Sequence, residues 1–135
     1  MRVVFAGTPE IAVPVLHALV DAGHELVAVV TAPDRPAGRG RKLRSSPVKK
    51  EAQRLGLPVY QPESVNNRDF LAALRALAPD VMVVSAYGQM LRDEILSLPE
   101  HGCLNVHPSL LPAYRGAAPA AWALIHGETE TGVTI

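Results

Sequence analysis

Apolar residues recur along this chain in two rhythms. Residues 2–6 are a short run of β-branched and aromatic side chains ending at Gly7, which predicts a buried strand entering a tight turn. Thr8-Pro9-Glu10 then reads as a helix start, with a capping hydroxyl, a proline at the first helical position and an acid in the first turn. Ile11, Val15, Leu16, Leu19 and Val20 follow at helical spacing; Pro14 implies either a kink or a helix that begins near it, and Gly23 closes the element. Residues 26–31 and 81–86 are two more apolar strands, 59–60 a short one, and 103–107 another before a proline-rich stretch. Helices are predicted over 48–55, stopped by Gly56, over 69–77, where Phe70, Leu71, Leu74 and Leu77 share one face, and over 93–98 and 120–125. Residues 33–47, rich in Gly, Pro and Arg and without periodicity, are predicted to be a loop. Strands alternate with helices and several are apolar throughout. The expected fold class is therefore α/β, a mostly parallel sheet flanked by helices on both faces, in one domain. Residues 132–135 start a further strand with no turn or polar cap after it, so the chain is expected to be a piece of a longer protein.

Charge adds a local feature. The formal net charge is zero, yet Arg35, Arg39, Arg41, Lys42, Arg44, Lys49 and Lys50 crowd into eighteen positions with one acid, Asp34, leaving six basic against twelve acidic residues elsewhere. Guanidinium groups on a long loop suit phosphate, through charge and paired N–H donors; the plainer reading is a solvated surface loop. No aromatics are interleaved, so base stacking is not predicted. One cysteine, Cys103, cannot form an internal disulfide, which suits a reducing compartment. No apolar run approaches the length needed to span a bilayer and the N-terminus does not read as a signal peptide, so a cytoplasmic protein without membrane contact is expected. His17, His24, His101, His107 and His126 are scattered, which predicts no metal site.

Three strand ends hold candidate chemistry. Gly7-Thr8-Pro9-Glu10 lets backbone approach a ligand or an anion, though a tight strand-to-helix turn explains it too; without Gly-x-Gly-x-x-Gly a dinucleotide site is poorly supported. Ser85-Ala86-Tyr87-Gly88-Gln89-Met90-Leu91 ends a strand and offers main-chain groups to a flat, hydrogen-bonding ligand; a plain connection is the alternative. Asn105 and His107, two apart on a strand, are expected on one face. The amide can polarise a carbonyl while the imidazole handles the proton of an attacking amine, or both can serve local hydrogen bonding.

Asn105-x-His107 followed by Ser109-Leu110-Leu111-Pro112 and Gly116 resembles the formyltransferases that use 10-formyltetrahydrofolate. Phe5-Ala6-Gly7-Thr8-Pro9-Glu10, Pro33-Asp34-Arg35-Pro36-Ala37-Gly38-Arg39-Gly40, Ser46-Pro47-Val48-Lys49 and the run from Gly127 to Ile135 are similar to the branch of that family that acts on methionyl-tRNA. The similarity runs from the first strand to the last residue. It implies a Rossmann-like formyltransferase fold and transfer of a formyl group from 10-formyltetrahydrofolate, without a metal, to the α-amine of methionyl initiator tRNA in translation initiation. It implies catalytic roles for Asn105 and His107. Pterin binding is implied beside Tyr87, Gly88, Gln89, Met90 and Leu91, partly through backbone, with Ser109, Leu110, Leu111 and Pro112 flanking the folate. Contacts to the tRNA acceptor end are implied for Arg35, Arg39, Arg41 and Lys42, and a monomer is expected. Position 108 is Pro, where the tRNA branch often has Gly. The family's catalytic Asp and its C-terminal tRNA-binding domain correspond to sequence after residue 135, so residues 1–135 are expected to form an incomplete catalytic domain with little or no activity.

Three rivals remain at this point. A sister formyltransferase acting on a small ribonucleotide or amino-sugar amine needs no long basic arm. A non-catalytic RNA-binding module leaves the Asn-x-His and Ser-Leu-Leu-Pro segments unexplained. A nucleotide-dependent oxidoreductase lacks its glycine fingerprint.

Overall fold

Val3 to Ala6 are buried on both sides, and the strand they form, β1 (Arg2–Gly7), lies at the centre of the sheet. It pairs in parallel with β2 (Glu25–Val30) on one side and β6 (Val81–Ser85) on the other. The computed structural model describes residues 1–135 except Arg41, Ser109, Tyr114, Ala117 and Ala118, and leaves aside the side chains of Ala37, Ala120, Ala121 and Trp122. With β5 (Val59–Tyr60) and β7 (Cys103–Asn105) the sheet has five strands in the order β5-β2-β1-β6-β7. The chain leaves β1 toward one edge and returns on its other side as β6. Loops at the carboxyl ends of these two strands therefore diverge, the place where open α/β sheets hold ligands.

Alternation along the strands fills both faces. Val4, Ala6, Ala28, Val30 and Met82 join Phe70, Leu71 and Leu74 of α3 (Arg68–Leu77) in one cluster with Val65, Tyr87 and Ile95. Val3, Phe5 and Val29 alternate with them and are equally buried, while α1 (Val13–Asp21) packs on β2 and α2 (Pro47–Arg54) on β5. A short α4 (Asp93–Leu96) buries Ile95. These elements make up one unit, Met1–Leu104. The second unit, Asn105–Ile135, contains α5 (Pro119–Ile125) and an antiparallel bridge between His107 and Thr134.

Several boundaries depart from the periodicity. Pro14 stands in the first turn of α1, so the helix begins there, after a single 3₁₀ turn at Glu10–Ala12. The Thr8 hydroxyl caps nothing, and Ile11 is 58% exposed instead of sharing the buried face of Leu16. Residues 33–47 are not a featureless loop: β3 (Arg35–Ala37) and β4 (Lys42–Arg44) form an antiparallel hairpin whose connection uses positive φ at Gly38 and Gly40. Three-residue strands whose described side chains are all exposed leave no period to read, and Pro36 fits such an isolated ribbon because no third strand needs its missing N–H. The helix predicted over 93–98 stops at Leu96, two residues before the conformational restriction that Pro99 places on Leu98. β7 ends at Asn105 instead of His107, and the strand predicted over 132–135 is reduced to the bridge at Thr134.

Two asparagine and serine caps escaped the pattern reading. Asn67 Oδ1 accepts from the N–H groups of Asp69 and Phe70 at the start of α3. Ser46 Oγ accepts from Lys49 N (3.0 Å) at the start of α2 and lies 2.6 Å from Oγ1 of Thr31, which is fully buried. Ser46→Ala removes the cap and this partner of a buried hydroxyl together, so a loss of about 2 kcal/mol is expected in urea denaturation. A change below about 0.5 kcal/mol, the size of an ordinary surface substitution, would show that Ser46 does neither job.

Candidate functional site

The carboxyl end of β6 turns sharply. Ala86 and Gly88 both hold positive φ (52° and 102°), so the chain zigzags: Ala86, Gly88 and Met90 are exposed while Tyr87 between them is buried in the core. Non-glycine residues seldom adopt the conformation of Ala86, and such strain clusters at ligand-binding turns. The Tyr87 ring belongs to the α3 face of the sheet; among the described residues its hydroxyl has no hydrogen-bond partner, and burial pushes its pKa up to about 12. Tyr87 therefore has only main chain to offer a ligand, and its carbonyl already accepts from Thr8 Oγ1 (2.8 Å). The same hydroxyl accepts from Ala32 N (3.4 Å), so one side chain ties together the ends of β1, β2 and β6.

Gln89 is likewise committed. Its Oε1 accepts from Val65 N (2.8 Å), and its Nε2 donates to the carbonyls of Pro62 and Glu63. Asn66 answers from the other side, donating through Nδ2 to Met90 O (3.0 Å) and accepting at Oδ1 from Arg92 N (3.2 Å). Two amide side chains thus fasten residues 62–66 to residues 89–92. Leu91 packs against the core cluster, and Met90, 82% exposed, is the residue of this segment that presents a large side chain outward. Sequence reading marked the segment and, separately, Thr8 in the turn after β1, but missed Asn66 and the fact that both shape the segment; their partners lie 79 and 24 residues away along the chain, beyond any local pattern.

In the second unit, Asn105 is exposed and His107 part-buried. His107 and Thr134 exchange two backbone hydrogen bonds of 2.8 Å, and Leu111 N donates to Thr134 Oγ1 (3.0 Å). A Cβ added at Gly132 would come within 2.6 Å of Leu110 Cδ2, so Leu110 packs directly on that glycine. Residues 132–134 therefore brace both the histidine and the loop after it. Leu110, Leu111 and Pro112 are exposed, and the Leu111–Pro112 peptide bond is cis. Ser109 lies outside the described residues. An exposed amide and a part-buried imidazole supply, respectively, a neutral hydrogen-bond donor and a group able to carry a proton near neutral pH.

The basic residues of 33–47 stand on the hairpin. Arg35, Arg39, Lys42 and Arg44 are all exposed and, among the described residues, none forms an ion pair; Arg41 lies outside the described residues. Among the described residues no group of three or more His, Cys, Asp or Glu side chains is arranged to hold a metal ion, and no helix is long and apolar enough to cross a membrane.

Comparison with known proteins agrees with this layout. The family model described as formyl transferase matches residues 1–135. A methionyl-tRNA formyltransferase of Pelotomaculum thermopropionicum is 58% identical over 134 residues, 99% of this chain and 43% of the relative. One of Caldanaerobacter subterraneus subsp. tengcongensis is 59% identical over 135 residues, 99% of this chain and 44% of the relative. The chain thus spans well under half the length of these curated relatives. Among solved structures, glycinamide ribonucleotide transformylase 1 from Geobacillus kaustophilus superposes with a TM-score of 0.73 at 26% identity, covering 98% of this chain and 71% of that one. Phosphoribosylglycinamide formyltransferase from Bacillus halodurans, at 21% identity and a TM-score of 0.76 over 99% of this chain and 70% of its own, shares the fold. With the family model matched from the first residue to the last and curated relatives above half identity along its whole length, the chain belongs to the formyl transferase family.

Proposed function

We propose that this chain is the N-terminal part of the catalytic domain of an enzyme that transfers a formyl group from 10-formyltetrahydrofolate to the α-amine of methionyl initiator tRNA. The observation that carries the choice of acceptor is the exposed hairpin β3–β4: four described cations, no ion pairs and no acid between its strands, mounted on a formyltransferase sheet. Such an arm suits a polyphosphate backbone and has no use for a small amine. Arg35, Arg39, Arg41 and Lys42 are the residues assigned to the tRNA acceptor end.

The folate supplies the activated one-carbon unit. The turn at Tyr87, Gly88, Gln89, Met90 and Leu91 fits a flat, hydrogen-bonding ring: Gly88 and the preceding Ala86, both exposed and at positive φ, present main-chain groups, and Met90 adds an adaptable apolar surface. Ser109, Leu110, Leu111 and Pro112 are assigned to the folate's flank. Asn105 donates a hydrogen bond to the formyl oxygen as negative charge develops there, and His107 passes the proton of the attacking amine to the folate N10 as the formyl C–N10 bond breaks. No residue is assigned to a metal.

The solved structures named for glycinamide ribonucleotide favour a second reading, a small ribonucleotide acceptor. Competition decides between the two. Residues 1–135 joined to the downstream part of the Caldanaerobacter relative are expected to formylate methionyl-tRNA and to ignore glycinamide ribonucleotide present in excess. Formylation of the small amine, with none of the tRNA, would replace the proposed acceptor.

A further inference from the structure

The neck of the hairpin is fastened more firmly than its arms. Asp34 immediately precedes β3. Its Oδ2 accepts from Lys49 Nζ of α2 (2.9 Å), and its Oδ1 accepts from Nε2 of Gln61, just past β5 (2.8 Å). Gln61 Nε2 also donates to Ala32 O (3.1 Å). One carboxylate therefore joins the root of the hairpin at β3 to α2 and to the edge of the sheet. Below it, the Thr31–Ser46 hydroxyl pair crosses the same neck. The Asp34 and Lys49 side chains are only 29% and 16% exposed, whereas the described residues of β4 and its turn are exposed. A ribbon of two three-residue strands has little stability of its own in water, so its direction is set where it is rooted.

We propose that Asp34 is a positioning residue: held by Lys49 and Gln61, it aims the basic hairpin at the acceptor RNA. The inference rests on the tRNA reading above. It accounts for an acid at the root of an arm whose other charges are all positive. Lys49 first, then Gln61, hold the Asp34 carboxyl below its ordinary value, so the clamp stays ionised at neutral pH. Simple charge counting makes the opposite forecast. Removing Asp34 raises the positive charge of the arm, and counterion release alone then predicts tighter RNA binding. The clamp predicts weaker binding, because a loosened arm must be ordered again in the complex.

The test uses this chain, an RNA minihelix with the acceptor stem and single-stranded 3′ end of a tRNA, fluorescence anisotropy, and trypsin cleavage within residues 35–44. Asp34→Ala and the charge-silent Gln61→Leu are each expected to weaken RNA binding about fivefold and to speed cleavage of the arm, with the far-ultraviolet circular dichroism spectrum unchanged. Gln61→Leu guards against a folding defect peculiar to the charge change. Unchanged or tighter RNA binding by both variants overturns the clamp while leaving the RNA reading intact. If the native chain binds the minihelix no better than an Arg39→Ala/Lys42→Ala variant, the arm does not touch RNA, and the acceptor reading falls together with the clamp.

Discussion

His107→Ala, in residues 1–135 joined to the downstream part of the Caldanaerobacter relative, is expected to lower formyl transfer to methionyl-tRNA by about 10²–10⁴-fold, the usual contribution of a positioned acid–base group. Asn105→Ala is expected to cost about 10²–10³-fold, as for other single donors to a developing oxyanion. Both losses belong in kcat rather than in the KM for either substrate, since the interactions strengthen only as the transition state forms. Rates for both variants within a few-fold of the parent chimera would remove these two residues from the chemistry. Thr134 sharpens the expectation for His107. Its backbone holds the histidine by two hydrogen bonds and its hydroxyl holds Leu111, so the imidazole is mounted on a braced segment and not on a free loop. Preorganisation of that kind is what a proton-transfer group needs.

Gly7→Ala is expected to destabilise the fold by about 3 kcal/mol, at the upper end of overpacking costs. A Cβ at Gly7 would lie 2.8 Å from Ser85 O, 2.9 Å from Ala12 Cβ and 3.0 Å from Phe5 Cζ. None of these yields easily. Ser85 is the partner of Gly7 in the β1–β6 register, Ala12 closes the 3₁₀ turn, and the Phe5 ring is fully buried. Relief would have to open the central pairing of the sheet or push the turn outward, shifting Thr8 and with it the Tyr87 carbonyl. Urea denaturation measures the effect; a loss smaller than about 0.5 kcal/mol would mean that the rim is not packed in this way.

The centre of the sheet was legible in the sequence because β1, β2 and β6 are buried on both faces. Runs such as Val3-Val4-Phe5-Ala6 and Val81-Met82-Val83-Val84 admit no other placement, and their parallel pairing follows from the helices between them. The hairpin was not legible. Its described side chains are exposed, so neither a twofold nor a helical period marks them, and its backbone ladder is set by glycine turns and by a neck whose partners, Lys49 and Gln61, sit on other elements. At the candidate site, residue types announced Asn105 and His107, while the motif resemblance marked residues 87–91. What those residues have free to use was hidden. The Gln89 side chain is occupied by Val65, Pro62 and Glu63, and the Tyr87 ring is core. Such commitments come from contacts between distant segments, which single-sequence patterns do not carry.

The place of β1 in the middle of the sheet bears on the order in which the molecule can assemble during synthesis. Its register couples Val3 to Leu26 on one side but to Val81 on the other. A nascent chain can satisfy the first neighbour early. The second must wait for the next fifty or so residues to be polymerised, several seconds at about 5–20 residues per second. Throughout that interval an apolar strand shows a bare main-chain edge to its surroundings, an invitation to pair with the wrong chain. The growing polypeptide needs a shield most before residue 81 emerges, and much less once β6 has docked.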